Sequence, residues 1–264
     1  MRILATNDDG ILADGLWELV RELKNTAEVV VVAPDREQSA TGTAVTLRQP
    51  LRVQKVIPRL PGIETYSVEG TPADSVILAL SKIIKPKVDL VISGINPGPN
   101  LGDDVLISGT VGAALQGYLR GLPALAVSVD VGTSRSLSAA ARLAALLAQK
   151  IETNILPANI FLNVNLPDLP TTEIKGISFT RLAGKSHINT VEEGHDGRRE
   201  YYWLVRQKIN DKIADRKTDI WAIENGNISI TALYTDLSNR PALPLSDGFC
   251  SDLLRQLQSC AMFP

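Results

Sequence analysis

Residues 1–10 read MRILATNDDG, and this stretch decides the fold. The apolar run over residues 1–6 is long enough for one buried strand. It ends at two adjacent carboxylates, Asp8 and Asp9, after which Gly10 lets the backbone turn because glycine has no Cβ. From Leu16 onward, apolar residues recur with the spacing of a helix. The paired acids therefore lie where a first strand passes into a first helix.

The position of Asp8 and Asp9 predicts a ligand site, because open parallel α/β sheets bind ligands at the carboxyl ends of their strands. Two neighbouring carboxylates repel each other unless a cation or a proton intervenes. Carboxylate oxygens are hard ligands that suit Mg²⁺, Mn²⁺ or Ca²⁺. One interpretation is a divalent-metal site. The other is a solvated turn in which Asp14 caps the following helix.

The composition of the chain narrows its class. With 264 residues and 44% hydrophobic residues, it fits one large α/β domain or a domain with an extension. A net charge of −2 lacks the excess of positive charge that proteins use to bind a nucleic-acid duplex or an anionic membrane. No apolar run approaches the roughly 20 residues of a membrane helix, and no signal peptide is expected. A cytoplasmic protein is the default expectation, with Cys250 and Cys260 as reduced thiols.

Buried strands alternate with helices along the first part of the chain. Residues 27–33, AEVVVVA, are typical of a strand buried on both faces, and they complete a βαβ unit with the first strand. Similar runs at 88–93, 124–129 and 160–164 predict further strands, the last being the final strand of the core. Asn163 and Asn165 are interpreted as turn residues at its end. The fold class is α/β, with a mostly parallel sheet flanked by helices.

Residues 171–264 differ in character from the core predicted over residues 1–170. They are polar, with strand-like fragments at 177–182, 201–205 and 228–234, a helical turn at 219–223 and a terminal helix at 249–257. An extension too small for its own core often packs on a partner subunit. His187 and His195 lack a zinc motif and are interpreted as surface residues. Lys185, Arg198 and Arg199 are interpreted as solvated charges.

One further acid is assigned a structural role. Thr71 and Pro72 begin a helix, and Asp74 occupies its third position, close to the positive end of the helix dipole. Asp74 is therefore expected to cap the helix and not to act as a catalyst.

Residues 93–110, SGINPGPNLGDDVLISGT, predict a phosphate site between a strand and a helix. Backbone N–H groups at a helix N-terminus bind anions, and the small residues Ser108, Gly109 and Thr110 allow close approach. The stretch is neither a Walker A loop nor a GxGxxG fingerprint. The amides of Asn96 and Asn100 can coordinate or donate hydrogen bonds. The alternative is a loop of ordinary turn-forming residues.

Taken together, these motifs resemble the survival-protein-E (SurE) family of 5′/3′-nucleotidases. The resemblance rests on LATNDDG at 4–10, Ser39 after the second strand, SVEGTPADSV at 67–76, SGINPGPNLGDDVLISGTVGAALQG at 93–117, YYW at 201–203 and NGNISITAL at 225–233. It runs in the same order from residue 1 to about residue 235. One departure is ITAL, where the family usually has a proline after ISIT. On its own, Ser39 is otherwise an ordinary loop serine.

The resemblance implies a metal-dependent phosphoric monoester hydrolase that removes phosphate from nucleoside monophosphates; some members also trim polyphosphate. It implies Mg²⁺ or Mn²⁺ as cofactor, and a Rossmann-like core with C-terminal segments exchanged in a homodimer or homotetramer. It places the metal ligands at Asp8, Asp9, Ser39 and Asn96. It places phosphate binding at Asn96, Gly98, Asn100, Ser108, Gly109 and Thr110.

Several alternatives stay open for the chemistry. Asp8 and Asp9 are the candidate catalytic residues: one of them orients or deprotonates the attacking water, and Asp8 is favoured. The other version makes Asp8 the nucleophile of an aspartyl-phosphate. The chain lacks a DxDxT arrangement, which counts against that version. A nucleotide-binding protein without catalysis and a nucleotide-sugar transferase are the rival functions.

Overall fold

The computed structural model describes residues 1–130, 133–184, 188–206, 215–236 and 251. Predictions for Lys185, His187, Cys250 and Cys260 lie outside these residues, as does the terminal helix at 249–257 apart from Ser251, which is helical. The chain divides into two compact units, Met1–Leu233 and Tyr234–Pro264. Of the second unit, only residues 234–236 and 251 are described.

Strands and helices alternate over much of residues 1–166, as the sequence predicts, and three strands follow one another after residue 166 before the next described helix. The strands are β1 (Arg2–Thr6), β2 (Glu28–Pro34), β3 (Val53–Lys55), β4 (Glu64–Val68), β5 (Leu90–Pro97), β6 (Ala124–Val129), β7 (Phe161–Leu166), β8 (Gly176–Thr180), β9 (Ile188–His195), β10 (Glu200–Arg206) and β11 (Asn227–Ala232). The helices are α1 (Asp14–Leu23), α2 (Pro72–Leu78), α3 (Gly109–Tyr118), α4 (Ser134–Glu152) and α5 (Asp219–Glu224). A π-helical turn continues α2.

Nine strands form one sheet in the order β3-β4-β2-β1-β5-β6-β7-β11-β8. The strands from β4 to β7 in that order are all parallel to their neighbours, while β3 and β11 run antiparallel to β4 and β7. The predicted mostly parallel α/β sheet is confirmed. Parallel order brings the carboxyl ends of β1, β2, β5 and β6 to the same edge.

The continuous apolar run of β1 follows from its position between two helical layers. Ile3 and Ala5 pack with residues of α1 and α4 on one face, and Leu4 packs with Val76 and Ala113 of α2 and α3 on the other. Both faces of a central parallel strand are buried, so alternation of polar and apolar residues disappears. β1 is therefore held firmly from both sides up to the residue before Asn7.

The prediction that residues 160–164 form the last strand of the core is wrong. β7 covers this run, but β11 pairs antiparallel with it and β8 pairs parallel with β11. β11 lies about 60 residues after β7 in the sequence, and β8 joins the sheet only through β11, so a local pattern does not show either pairing. The proposed boundary between residues 1–170 and 171–264 stays a prediction.

The helix that follows Thr71 begins as predicted. The Thr71 hydroxyl accepts a hydrogen bond from the Asp74 backbone N–H, and an Asp74 carboxylate oxygen accepts one from the Thr71 N–H. This reciprocal pair is a capping box. The same carboxylate also accepts hydrogen bonds from the backbone and hydroxyl of Thr46. Asp74 thus fastens a loop to a helix start, in agreement with its assigned structural role.

β9 and β10 form a separate two-stranded antiparallel sheet. The predicted strand at 201–205 is part of β10, whereas β9 lies in a polar segment for which no strand was predicted. Among the described residues, no helix combines the length and apolar character needed to cross a bilayer.

Candidate active site

A cavity of about 780 Å³ opens at the edge where β1, β2 and β5 end. Its volume lies within the usual range for small-molecule sites and exceeds what a phosphate alone needs. The predicted residues Asp8, Asp9, Ser39, Asn96, Asn100 and Ser108 line it. Glu37, Ala40, Pro97, Asp104, Ile107 and Leu204 complete the lining. Most of the residues singled out from the sequence are therefore brought to one place.

Asp8 follows β1 directly and is buried. Its Oδ1 accepts a hydrogen bond of 2.5 Å from the hydroxyl of Thr110, at the start of α3. Burial raises the pKa of the Asp8 carboxyl, and the hydrogen bond from Thr110 opposes that rise. The side chain is thus fixed in orientation by the start of α3, which lies directly against it.

Asp9 is the second acid of the pair, and the surroundings of one of its carboxylate oxygens are the point of interest. Its Oδ2 is buried and has no hydrogen-bond partner in the described residues. Burial, the negative charge of Asp8 and the negative charge of Glu37 together raise the pKa of Asp9 to about 7. None of the described ion pairs involves Asp8 or Asp9. Two acids packed together without a compensating cation are a ready site for one.

The two remaining predicted metal ligands stand on neighbouring segments. Ser39 is exposed and donates its hydroxyl to Oε1 of Glu37 over 2.8 Å, which leaves its lone pairs available. The Asn96 amide nitrogen donates to the carbonyl of Gly98 over 2.6 Å, so its amide oxygen is the atom left for a cation. Among the described residues, no three or more His, Cys, Asp or Glu side chains lie close enough together to hold a metal ion by themselves. The donor set is two carboxylates, a hydroxyl and an amide, which fits a hard divalent ion.

The N-terminus of α3 approaches Asp8 very closely. A Cβ at Gly109 would lie 2.8 Å from the Cβ of Asp8, a separation that side chains do not reach. Ser108 is the N-cap, and its hydroxyl accepts a hydrogen bond from the Val111 N–H over 3.1 Å. The helix dipole thus points its positive end at the carboxylates and at the cavity. Ser108, Gly109 and Thr110 thus lie at the start of α3 beside Asp8, and the Thr110 hydroxyl is committed to Asp8. Phosphate binding by these three residues stays a prediction.

Two other predicted phosphate-binding residues are engaged in holding their own loop. The Gly98 N–H donates to the carbonyl of Val129 in β6 over 2.8 Å. The side-chain nitrogen of Asn100 donates to the Ser128 hydroxyl over 2.8 Å. Asn100 still lines the cavity, whereas Gly98 is half-buried and is not among the lining residues. Direct phosphate contact by these two residues stays a prediction.

Sequence reasoning did not assign a role to Glu37 and Asp104, which line the cavity. Glu37 lies two residues before Ser39 in the same loop, so the sequence could have suggested that Glu37 also lies close to the site. Asp104 lies within the glycine-rich stretch and is 1% exposed. In a polar loop, the neighbouring residues in the sequence do not show whether an acid is buried or solvated.

Comparison with known proteins gives a consistent result. The family model described as Survival protein SurE matches residues 3–189. The chain is 57% identical over 262 residues to the 5′-nucleotidase SurE of Dehalococcoides mccartyi strain CBDB1, covering 98% of each chain. It is 45% identical over 240 residues to the 5′-nucleotidase SurE of Heliobacterium modesticaldum, covering 90% of this chain and 88% of that protein.

The fold has a solved counterpart. The crystal structure of the SurE protein from Aquifex aeolicus superposes with a TM-score of 0.78 at 35% sequence identity, covering 99% of this chain and all of that one. The similarity thus extends well beyond the residues that the family model matches.

Proposed function

The chain belongs to the SurE family, and from that premise we propose that it is a 5′-nucleotidase that hydrolyses nucleoside monophosphates to nucleoside and phosphate. Hydrolysis of 3′-monophosphates is a further part of the proposal, carried from the family resemblance. The two relatives reported above are named 5′-nucleotidases and match nearly the whole chain.

One observation of the structure carries the proposal furthest. Asp8 and Asp9 line the cavity side by side, and neither forms an ion pair with a described residue. The N-terminus of α3 lies directly against Asp8. A phosphate ester brings negative charge and needs positive partners. Helix N–H groups supply one such partner, and a cation held by the two carboxylates would supply the other.

We propose Mg²⁺ or Mn²⁺ as the cofactor, held by Asp8, Asp9, Ser39 and Asn96. The unpartnered Oδ2 of Asp9 and the all-oxygen donor set support a hard divalent ion at this position. When bound, such an ion neutralises charge on the phosphoryl group and lowers the pKa of coordinated water.

The residues of the chain have separate tasks in this proposal. Thr110 fixes Asp8 through the hydrogen bond to Oδ1, so that the carboxylate orients the attacking water and takes up its proton. Backbone N–H groups at the start of α3, with the Ser108 hydroxyl, hold phosphate oxygens. The water oxygen bonds to phosphorus and the bond from phosphorus to the ribose oxygen breaks. The ribose oxygen takes a proton from solvent as it leaves, and Asp8 then returns the proton that it took from the water to solvent.

A direct attack by Asp8 on phosphorus is the alternative within the same site. The stereochemical course at phosphorus separates the two mechanisms, with a nucleoside phosphorothioate made chiral by two oxygen isotopes and hydrolysed in water that carries the third. Direct attack by water is one displacement and inverts the configuration of the released thiophosphate. Attack by Asp8, followed by attack of water on the phosphorus of the aspartyl-phosphate, is two displacements and retains the configuration.

The proposed function is tested by phosphate release from a panel of nucleoside monophosphates with Mg²⁺, with Mn²⁺ and with a chelator. Asp8→Asn should abolish release, and the matched control Asp14→Asn should not, because Asp14 is an exposed acid paired with Arg59. Release that does not require a metal, or full activity of Asp8→Asn, would contradict the proposal. Hydrolysis that requires a second acceptor substrate would identify a transferase.

A homodimeric or homotetrameric assembly and a cytoplasmic location complete the proposal. The exposed aromatic side chains of β10, Tyr201, Tyr202 and Trp203, support an assembly because exposed apolar surface is frequently a contact surface. Light scattering coupled to size-exclusion chromatography tests it, and a monomer at micromolar concentration would contradict it.

A further inference from the structure

The loop between β5 and α3 is fastened from behind by buried polar side chains. We call residues 98–102 the anchored loop. Asn165, at the end of β7, accepts a hydrogen bond from the Asn100 N–H over 2.8 Å and donates one to the Asn100 carbonyl over 3.1 Å. Asn163 donates a second hydrogen bond to the same carbonyl over 2.8 Å. Both backbone groups of Asn100 are therefore satisfied by side chains of one strand.

A second attachment comes from α5, much later in the chain. The Gly102 N–H donates to Oδ2 of Asp219 over 2.7 Å. The other carboxylate oxygen of Asp219 accepts a hydrogen bond from the N–H of Ile220 over 2.9 Å. Asp219 is 0% exposed and takes part in none of the ion pairs found among the described residues. The Asp219 carboxylate is thus buried and accepts hydrogen bonds from backbone N–H groups, one of which belongs to the anchored loop.

Burying these polar side chains costs free energy, and the hydrogen bonds that they make go to the anchored loop. An amide or carboxylate that is buried loses its hydration, so a fold keeps it only where hydrogen bonds compensate. Asn163, Asn165 and Asp219 could each be apolar as far as the core is concerned. They bond instead to the loop that follows Asn96, lines the cavity through Asn100 and leads to Ser108.

We propose that Asn165 and Asp219 are positioning residues, which fix the anchored loop so that the groups at its two ends meet the phosphate in one geometry. The inference rests on the proposed phosphatase function. Precise catalytic geometry needs side chains locked by supporting hydrogen bonds on rigid elements. Here the supports are a central strand and a helix that do not themselves reach the cavity.

The kinetic test compares Asn165→Ala and Asp219→Asn with a matched control, Thr180→Val. The Thr180 hydroxyl is also buried and bonds to Ser229 and Thr231 over 2.7 Å, but between β8 and β11, away from the cavity. With Mn²⁺ and AMP, we expect kcat of Asn165→Ala to fall about tenfold to hundredfold, because small misplacements of reacting groups cost this much. Asp219→Asn keeps one acceptor oxygen, so its kcat should fall less. Thr180→Val should lose comparable thermal stability with kcat within about twofold.

Hydrogen–deuterium exchange gives a readout that does not depend on turnover. In the wild-type protein without substrate, the amides of Asn100 and Gly102 should exchange slowly. Asn165→Ala should speed exchange at Asn100, Asp219→Asn should speed exchange at Gly102, and Thr180→Val should change neither. Unchanged exchange in the first two variants would overturn the inference, as would an equal loss of kcat in Thr180→Val.

The same measurements separate this inference from the proposed function. If the wild-type protein hydrolyses no nucleoside monophosphate, the proposed function fails. Loop exchange and the affinity for inorganic phosphate then test the anchoring by themselves. Weaker phosphate binding in Asn165→Ala, with faster exchange at Asn100, would support it, and wild-type values for both would overturn it.

Discussion

Thr110 donates its hydroxyl hydrogen to Oδ1 of Asp8 over 2.5 Å and so joins the first turn of α3 to the tip of β1. The two residues are 102 positions apart in the sequence, and both are buried. This hydrogen bond sets the direction in which one of the two proposed catalytic carboxylates points. It also gives Thr110 a task different from the phosphate contact that its sequence position suggests.

Replacement of Thr110 tests this contact. Thr110→Val keeps the shape of the side chain but removes the donor, so a buried acceptor on Asp8 loses its partner at a cost of roughly 1–3 kcal/mol. We expect kcat to fall about tenfold or more and KM to change little. Thr110→Ser retains the hydroxyl and should keep most of the activity. Steady-state kinetics of both variants, with thermal unfolding as control, decides the matter; equal activity of the two would contradict the assigned role.

The close approach at Gly109 predicts sensitivity to a single methyl group. Alanine is the better helix former by roughly 1 kcal/mol, yet its Cβ would lie 2.8 Å from the Cβ of Asp8. Asp8 or the start of α3 must therefore shift, and we expect Gly109→Ala to lose most of its activity. Gly176→Ala is the matched control, because the nearest atom to its Cβ would be a side-chain oxygen at 3.3 Å. Phosphate release by the two variants gives the comparison, and an active Gly109→Ala would contradict the geometry.

Metal removal should make stability depend on pH in a particular direction. Burial raises the pKa of both Asp8 and Asp9, in the case of Asp9 from 3.8 to about 7. Between these values the folded state binds more protons than the unfolded state, so the free energy of unfolding falls as the pH rises through this window. Stability of the chelated protein is therefore expected to be highest at the acid end of the window and lowest above pH 7.

Urea unfolding at pH 5, 6, 7 and 8 with a chelator measures this effect. Asp9→Asn has no carboxyl at position 9 to titrate in this window, so its stability should fall less between pH 5 and pH 8. Added Mn²⁺ should restore stability to the wild-type protein at pH 8, because a ligand that binds only the folded state stabilises it. A chelated protein whose stability rises with pH over this range would contradict the prediction.

Asp74 should matter for stability and not for catalysis. Its carboxylate accepts hydrogen bonds from Thr71 and from both the backbone and the hydroxyl of Thr46. In Asp74→Asn an amide NH₂ replaces one acceptor oxygen and faces a donor. We expect the free energy of unfolding to fall by roughly 1–3 kcal/mol and kcat to change less than about threefold. Chemical denaturation and kinetics of the same preparation test both parts.

The central part of the fold could be predicted because its signals are local. β2 and β6 are continuous apolar runs, and a strand buried on both faces can hardly look otherwise. The start of α2 was predictable since threonine, proline and aspartate at 71, 72 and 74 each satisfy a specific requirement of a helix N-terminus.

Other elements depend on partners far away in the sequence. The sequence of β9 shows little alternation of polar and apolar residues, and among the described strands β9 pairs with β10 alone. β8 and β11 extend the sheet past β7 through pairing that no short window contains. β5 continues to Pro97, beyond the apolar run at 88–93, since pairing of Asn96 with Ser128 of β6 keeps it extended. In each case a tertiary contact decides.

The candidate site shows the same division. Adjacent acids after a strand and a glycine-rich stretch before a helix are visible in the sequence, and the cavity brings most of these residues together. Asn163 and Asn165 were interpreted as turn residues, yet both lie within β7 with 0% exposure. Asparagine favours turns through its own side chain, and only the bonds to Asn100 explain its place in a buried strand.

The late position of Asp219 has a consequence for synthesis of the protein on the ribosome. Chains fold from the N-terminus as they emerge, so β1 and its two acids are available early. The backbone N–H groups of the anchored loop, in contrast, have their hydrogen-bond acceptors in β7 and α5, which are synthesised later. A nascent or truncated chain that ends before residue 219 therefore holds the acids without a completed loop, and such a fragment should not acquire activity before the last helix of the larger unit has been made.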